Sequence, residues 1–320
     1  MTALATRKSE TGWSAVAADA RRLQGRFSGL SRVQSAVVEA VAYADVFDWA
    51  VTPEEIHRYL PQAASPGEVS DALAGYEIDP FIEQGSGYVT LRGRSALVPL
   101  RIERTVAARA LWPRALRYAG AVARMPFVRM VAVTGSLAVD SIDRDGDVDL
   151  LVVTQDGRLW LSRAMAMAVV RGANLGHVRL CPNYLLAESS LEIEDRSLFT
   201  AHELLQMVPI SGLRTYDELL RRNAWVRHWL PNAEPRAPLI AGAPRTRGRA
   251  RRIAEAALRT PIGEAFERWE MDRKIRRLTA ESRSAETRYD ATVCKGHTEE
   301  HGRRAMAEFE ARLRRLEAID

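Results

Sequence analysis

The stretch Val131–Val153, VAVTGSLAVDSIDRDGDVDLLVV, decides how this chain is read. An apolar run ending at Thr134 predicts a strand, Gly135 and Ser136 follow it directly, and a polar loop leads to Asp147-Val148-Asp149 and a second apolar run. In a strand, residues two apart share a side, so Asp147 and Asp149 offer two carboxylates to one point. Such a pair suits a hard divalent cation, Mg2+ in particular, which takes carboxylates together with phosphate oxygens and retained water. Gly135 permits close backbone approach to a phosphate, and the amide and hydroxyl of Ser136 can donate to it. The alternating acids Asp143, Asp145, Asp147 and Asp149 also suggest a calcium loop. Counted from Asp143, however, the sixth residue is Val148 rather than Gly and the twelfth is Thr154 rather than Glu, and the flanks read as strands.

Outward from this stretch, Leu159 to Gly172 predicts a buried helix and HVRLCPNYLLAE a further strand. Strand, loop, strand, helix, strand gives an α+β fold on a small mixed sheet. Arg101 to Met125 reads as a connecting helix with Ile102, Val106, Ala110 and Leu111 at helical spacing, punctuated by Pro113 and Pro126. DRSLFTAHELLQMVPI opens another helix and Tyr216 to Leu230 a third. Asn232 to Pro244, rich in Pro and Ala, reads as a linker, and the remainder as helices with charged faces.

Before the central stretch, about thirty residues form a lead-in. SRVQSAVVEAVAYADVF then puts Val33, Val37, Val38, Val41 and Ala42 on one helical face. Thr52 before Pro53, with Glu55 at the capping-box position, opens a short helix, and Ser65 before Pro66 opens another. FIEQGSGYVTLRG predicts a β-hairpin around Gly-Ser-Gly. Three helices and a hairpin in this order resemble a winged helix-turn-helix domain, over about Ser31 to Arg94. Its third helix carries Glu68, Asp71 and Glu77 and no basic residue, which argues against DNA binding, because duplex affinity is mostly electrostatic. A packing or partner-docking role is expected instead.

At 320 residues, 47% of them hydrophobic, the chain has material for two or three modest domains. Cys181 and Cys294 form no CxxC pair, and no apolar run approaches the length of a membrane span, so a reducing cytoplasm is the expected location. The net charge of +5 is concentrated in the arginines after Pro244, which leaves polyanions open as partners. The plainer expectation is that these arginines alternate with Glu255, Glu264, Glu267, Glu270 and Asp272 on solvated helix faces.

Taken together, GSLAVDSIDRDGDVDLLV resembles the signature of the DNA polymerase beta nucleotidyltransferase superfamily. The resemblance implies transfer of a nucleoside monophosphate from a nucleoside triphosphate to an acceptor hydroxyl, on a small molecule, protein or RNA, with Mg2+ or Mn2+ as cofactor. It implies that Asp147 and Asp149 are metal ligands and that Gly135 and Ser136 hold phosphate. Many members add a third carboxylate from a later strand; here LCPNYLL offers Asn183, an amide that cannot act as a base, with Glu188, Glu192 and Glu194 as alternatives. Lys295 and His297, in VCKGHTEEHGRR with His301, form a cluster that could reach a triphosphate, or simply start a helix after Gly296. The expected organisation is a lead-in (1–30), a winged-helix-like domain (31–105), a nucleotidyltransferase core (106–232), and a linker with a basic helical region (233–320). A nucleotide-binding protein without turnover and a winged-helix transcription regulator are the alternative readings.

Overall fold

A computed structural model describes residues 26–239, 248–282, 286–296 and 301–319. Near its N-terminal end, α1 (Arg32–Asp45), α2 (Pro53–Arg58) and α3 (Pro66–Ala74) each begin on a hydroxyl cap. Ser31, Thr52 and Ser65 accept from the amide three residues on, and Gln34, Glu55 and Glu68 return the bond to the cap amide. β1 (Ile82–Gly85) and β2 (Tyr88–Leu91) form the expected hairpin, with Ser86 and Gly87 both at positive φ, as a tight two-residue turn requires. The exposed side of α3 carries Glu68 and Asp71.

α4 (Leu97–Ala123) runs unbroken through Pro113. Pro113 and Arg109, whose carbonyl loses its partner, are both exposed, so water can satisfy what the proline forgoes. Of the residues at helical spacing, Ile102, Val106 and Ala110 are exposed and Leu111 is partly buried, and the helix packs through Ala108, Ala115, Ala119 and Val122.

The main sheet has six strands: β3 (Val128–Thr134), β4 (Val148–Thr154), β5 (Leu180–Ala187), β6 (Val208–Ser211), β7 (Arg288–Tyr289) and β8 (Val293–Lys295), in the spatial order β6-β3-β4-β5-β8-β7. Only the β4–β5 pair is parallel, joined by the crossover helix α6 (Leu159–Leu175). The sheet is therefore mixed and the fold α+β, with α5 (Gly135–Ala138), α7 (Leu198–Gln206), α8 (Leu213–Arg222), α9 (Val226–Trp229), α10 (Arg249–Leu258), α11 (Pro261–Glu281) and α12 (His301–Glu317) around it. Both faces are covered, which is why β3 and β4 read as continuous apolar runs. Alternate residues serve two cores. Met130, Ala132, Leu151 and Val153 face the N-terminal helices, α7 and α12, while Val131, Val133, Leu150 and Val152 face α4 and α6.

The C-terminal charges differ from expectation. Glu255, Glu267 and Glu270 are buried rather than solvated. Glu267 on α11 accepts from the amides of Trp160 (2.9 Å) and Leu161 (2.6 Å), capping α6, whose own N-cap residue, Arg158, makes no side-chain cap bond. Glu255 accepts from the amide of Phe127 (3.0 Å) and pairs with Arg251 and Arg129. The start of the expected linker is also tied down: Asn232 accepts from the Ala64 amide and donates to the carbonyls of His57 and Gln62. No helix among the described residues is long and apolar enough to cross a membrane.

Candidate functional site

Thr134 at the end of β3 pairs in register with Asp149 near the start of β4. By strand alternation Asp149 shares the face of Leu151 and Val153, the side covered by α1 and α7. Directly after Thr134 the chain turns at Gly135 with φ +65°, and a Cβ there would lie 2.5 Å from Oδ2 of Asp149. Glycine is required twice over, for the left-handed backbone and for the carboxylate packed against it.

Asp147 and Asp149 line a cavity of about 620 Å³ together with Gly135, Ser136 and Asn183. Asn183 reaches it through an irregularity in β5. The register slips between the pairs Asp149–Cys181 and Leu151–Tyr184, so two residues of β5 answer one of β4. Its Nδ2 donates to Oδ1 of Asp149 over 2.8 Å. Glu188, Glu192 and Glu194, the acids considered as substitutes, pair instead with Arg129, Arg196 and Arg288 and do not line the cavity. Lys295 lies in β8 and lines a smaller recess shared with Asn183 and Glu203, its ammonium 5.7 Å from the Tyr184 ring. Lys295 pairs with Tyr184 of β5 as a strand residue, and the helix expected after Gly296 is α12, described from His301. His297 lies outside the described residues.

Three neighbours of the acids, Glu203, His202 and Cys181, were missed as site residues by sequence reading. Glu203 on α7 lines the same cavity, and burial pushes its carboxyl up to about 7, with Lys295 opposing. Burial first, then the charges of Glu203 and Asp147, push Asp149 up to about 8. His202, beside Glu203, is lowered to about 4 by burial, and its Nδ1 meets the Leu198 carbonyl at 3.0 Å. It is a neutral imidazole stacked on Tyr43. Cys181, on the same wall, is pushed up to about 12 by burial and then by Asp149 and Asp147, so its sulfur is a thiol and not a nucleophile. The one signal for Glu203 was a His-Glu step between the apolar residues of LFTAHELLQ.

The residues fit a cation. Asp149 is half-buried with like charges for neighbours, and among the described residues Oδ1 of Asp147 is buried without a hydrogen bond, although Nε of Arg179 stands 2.8 Å away as an ion pair. That arginine is a basic neighbour the sequence did not reveal, since it precedes a different strand. Among the described residues no three His, Cys, Asp or Glu side chains form a closed cage. A cation here would rest on two carboxylates and on oxygens brought by a ligand, the manner in which Mg2+ binds phosphates. Comparison with known protein families, curated proteins and solved structures gave no match to this chain.

Proposed function

We propose that this protein is a metal-dependent nucleotidyltransferase, moving a nucleoside monophosphate from a nucleoside triphosphate to an acceptor hydroxyl, with a core of the polymerase beta type behind a winged-helix-like module. The observation that supports it most is the seating of Asp149. A turn glycine is packed on one of its oxygens, Asn183 on the other, and Asp147 and Glu203 share its cavity, so that among the described residues no cation pairs with ionised Asp149. Asp147 and Asp149 would hold Mg2+, which supplies positive charge to the triphosphate and the departing pyrophosphate. Ser136 is positioned on the cavity wall to donate to phosphate oxygens. In the transfer, the acceptor oxygen bonds to the α-phosphorus as the bond from that phosphorus to pyrophosphate breaks, and the hydroxyl proton leaves to a base. Glu203, with a carboxyl near 7, is matched to that proton; the amide of Asn183 is not. Two free cysteines agree with a reducing cytoplasm.

The neighbouring reading, a nucleotide binder without turnover, draws on Asn183 standing where many such cores carry an acid. A thermal-shift screen of the four nucleoside triphosphates with and without Mg2+, followed by pyrophosphate release in the presence of a cell extract, separates the two. A Mg2+-dependent shift is expected, with pyrophosphate release that Asp147→Asn and Asp149→Asn both abolish while the fold survives. Equal activity in wild type and both variants would sink the assignment.

A further inference from the structure

The cavity has a second wall, opposite in character to the carboxylates. α1 and the turn after it bring Tyr43, Phe47 and Trp49 to it, and α7 brings Phe199. Tyr43 is already engaged: the His202 ring stacks on it at 3.9 Å and Phe309 meets it edge-on at 5.5 Å. Phe47 is different. It is 42% exposed, its neighbours being Tyr43 at 5.4 Å and Phe199 at 6.4 Å between ring centres. A large apolar ring left half open beside a cavity loses burial energy unless something covers it.

The backbone holds Phe47 in that position. Arg104 donates to the carbonyls of Phe47 (3.3 Å) and Asp48 (3.0 Å), and its Nε meets Oδ1 of Asp143 at 2.8 Å. One guanidinium thus clamps the turn that carries Phe47 to the loop that carries Asp147. Arg94 pairs with Asp45 and Asp48 at the same turn, and Asp48 sits at φ +50°. Trp49, 6% exposed, has the Arg101 guanidinium over its ring at 5.3 Å, and its buried indole Nε1 has no acceptor among the described residues. An occupant of this wall would be flat, uncharged and able to offer a hydrogen-bond acceptor. A nucleobase has all three properties.

We propose that Phe47, supported by Phe199, is the stacking subsite for the base of the nucleoside triphosphate, so that the N-terminal helices are a wall of the substrate site and not a separate DNA reader. This rests on the transferase reading above, which assigns the triphosphate to the carboxylate end of the same cavity. Stacking on an aromatic side chain tolerates every base, since each has a π face. Discrimination among bases would fall to hydrogen bonding at positions such as Trp49 Nε1.

The test is calorimetric binding to the full chain, in Mg2+, of the four nucleoside triphosphates, the four nucleosides and inorganic tripolyphosphate, using wild type, Phe47→Ala and Phe47→Tyr. Phe47 is exposed enough that neither change should unfold the chain, and melting curves check this. Nucleoside triphosphates should bind at least about tenfold more tightly than tripolyphosphate. Phe47→Ala should remove that advantage and leave tripolyphosphate binding unchanged, while Phe47→Tyr keeps it. Equal affinity for tripolyphosphate and nucleotides in wild type, or equal weakening of both by Phe47→Ala, would overturn the stacking subsite and leave the carboxylate site standing. Nucleoside binding that depends on Phe47, with no binding of tripolyphosphate, would overturn the transferase reading and keep the subsite. Absence of binding by every probe would overturn both.

Discussion

Asn183 donates through Nδ2 to Oδ1 of Asp149 over 2.8 Å, across the irregular stretch of β5. Replacing it by Asp removes the donor and sets a third negative charge against two carboxylates. In chelator Asn183→Asp should lower stability by about 2 kcal/mol, the scale of a hydrogen bond to a charged group. With Mg2+ the sign should reverse, because a third carboxylate strengthens the ion's hold and ligand binding stabilises the folded state. Paired melting curves check this; the same shift in both conditions would make Asn183 an ordinary strand residue.

Gly135→Ala forces a side chain into a left-handed position and against the Asp149 carboxylate. We expect a loss of at least about 2 kcal/mol in urea unfolding. In an Asp149→Ala background the clashing oxygen is gone and only the backbone cost, about 1 kcal/mol, should remain. An identical cost in both backgrounds would show that the glycine answers to φ alone.

Glu203→Gln keeps shape and removes a proton acceptor. Pyrophosphate release should fall about 100-fold, the range for loss of a general base, while the Mg2+-dependent thermal shift with nucleotide persists. A variant that turns over normally would discard the role; one that no longer binds would make Glu203 part of the cation site.

Glu39 on α1 is buried, neither of its carboxylate oxygens is hydrogen-bonded among the described residues, and burial pushes it up to about 8, with Arg26 opposing the shift and Glu310 and Glu317 adding to it. A carboxyl raised above its unfolded value of 4.5 leaves the folded state holding the extra proton. Its contribution is therefore complete below about pH 4.5 and is lost as pH rises towards 8, at up to about 1.4 kcal/mol per pH unit. Glu39→Gln mimics the protonated form. Denaturation midpoints of the two proteins should coincide near pH 4.5 and separate in favour of the variant by pH 8; parallel curves would refute the assignment.

Glu267→Ala leaves the amides of Trp160 and Leu161 without their acceptor. Denaturant titration should show a loss of about 2 kcal/mol, as for a helix deprived of its cap. A change within experimental scatter would mean that water replaces the carboxylate.

Local signals carried the sequence reading as far as they reach. The caps at Ser31, Thr52 and Ser65 act within one turn, and each begins a helix as expected. The apolar runs of β3 and β4 are long enough to read alone, and the glycine and two acids between them lie in one cavity. What failed depended on partners distant in sequence. β6 has four residues, one of them Pro209, and β8 has three; each is a strand only because β3 or β5 is there to bond it. The slip in β5 cannot be inferred from alternation, and Glu203 and Phe47 reach the cavity from elements that adjoin it only in space.

β8 gives the site a particular order of assembly. Its residues, Val293–Lys295, pair with Tyr184, Leu185 and Leu186 on the strand that holds Asn183, and Lys295 is the charge opposing the raised pKa of Glu203. During synthesis, β3, β4 and β5 are made long before β8, and until it docks β5 presents an open edge beside the acidic cluster. Late closure of a long-range pairing slows folding and leaves that edge free to meet other chains. Nascent protein should then be most prone to association in the interval between completion of β5 and arrival of β8.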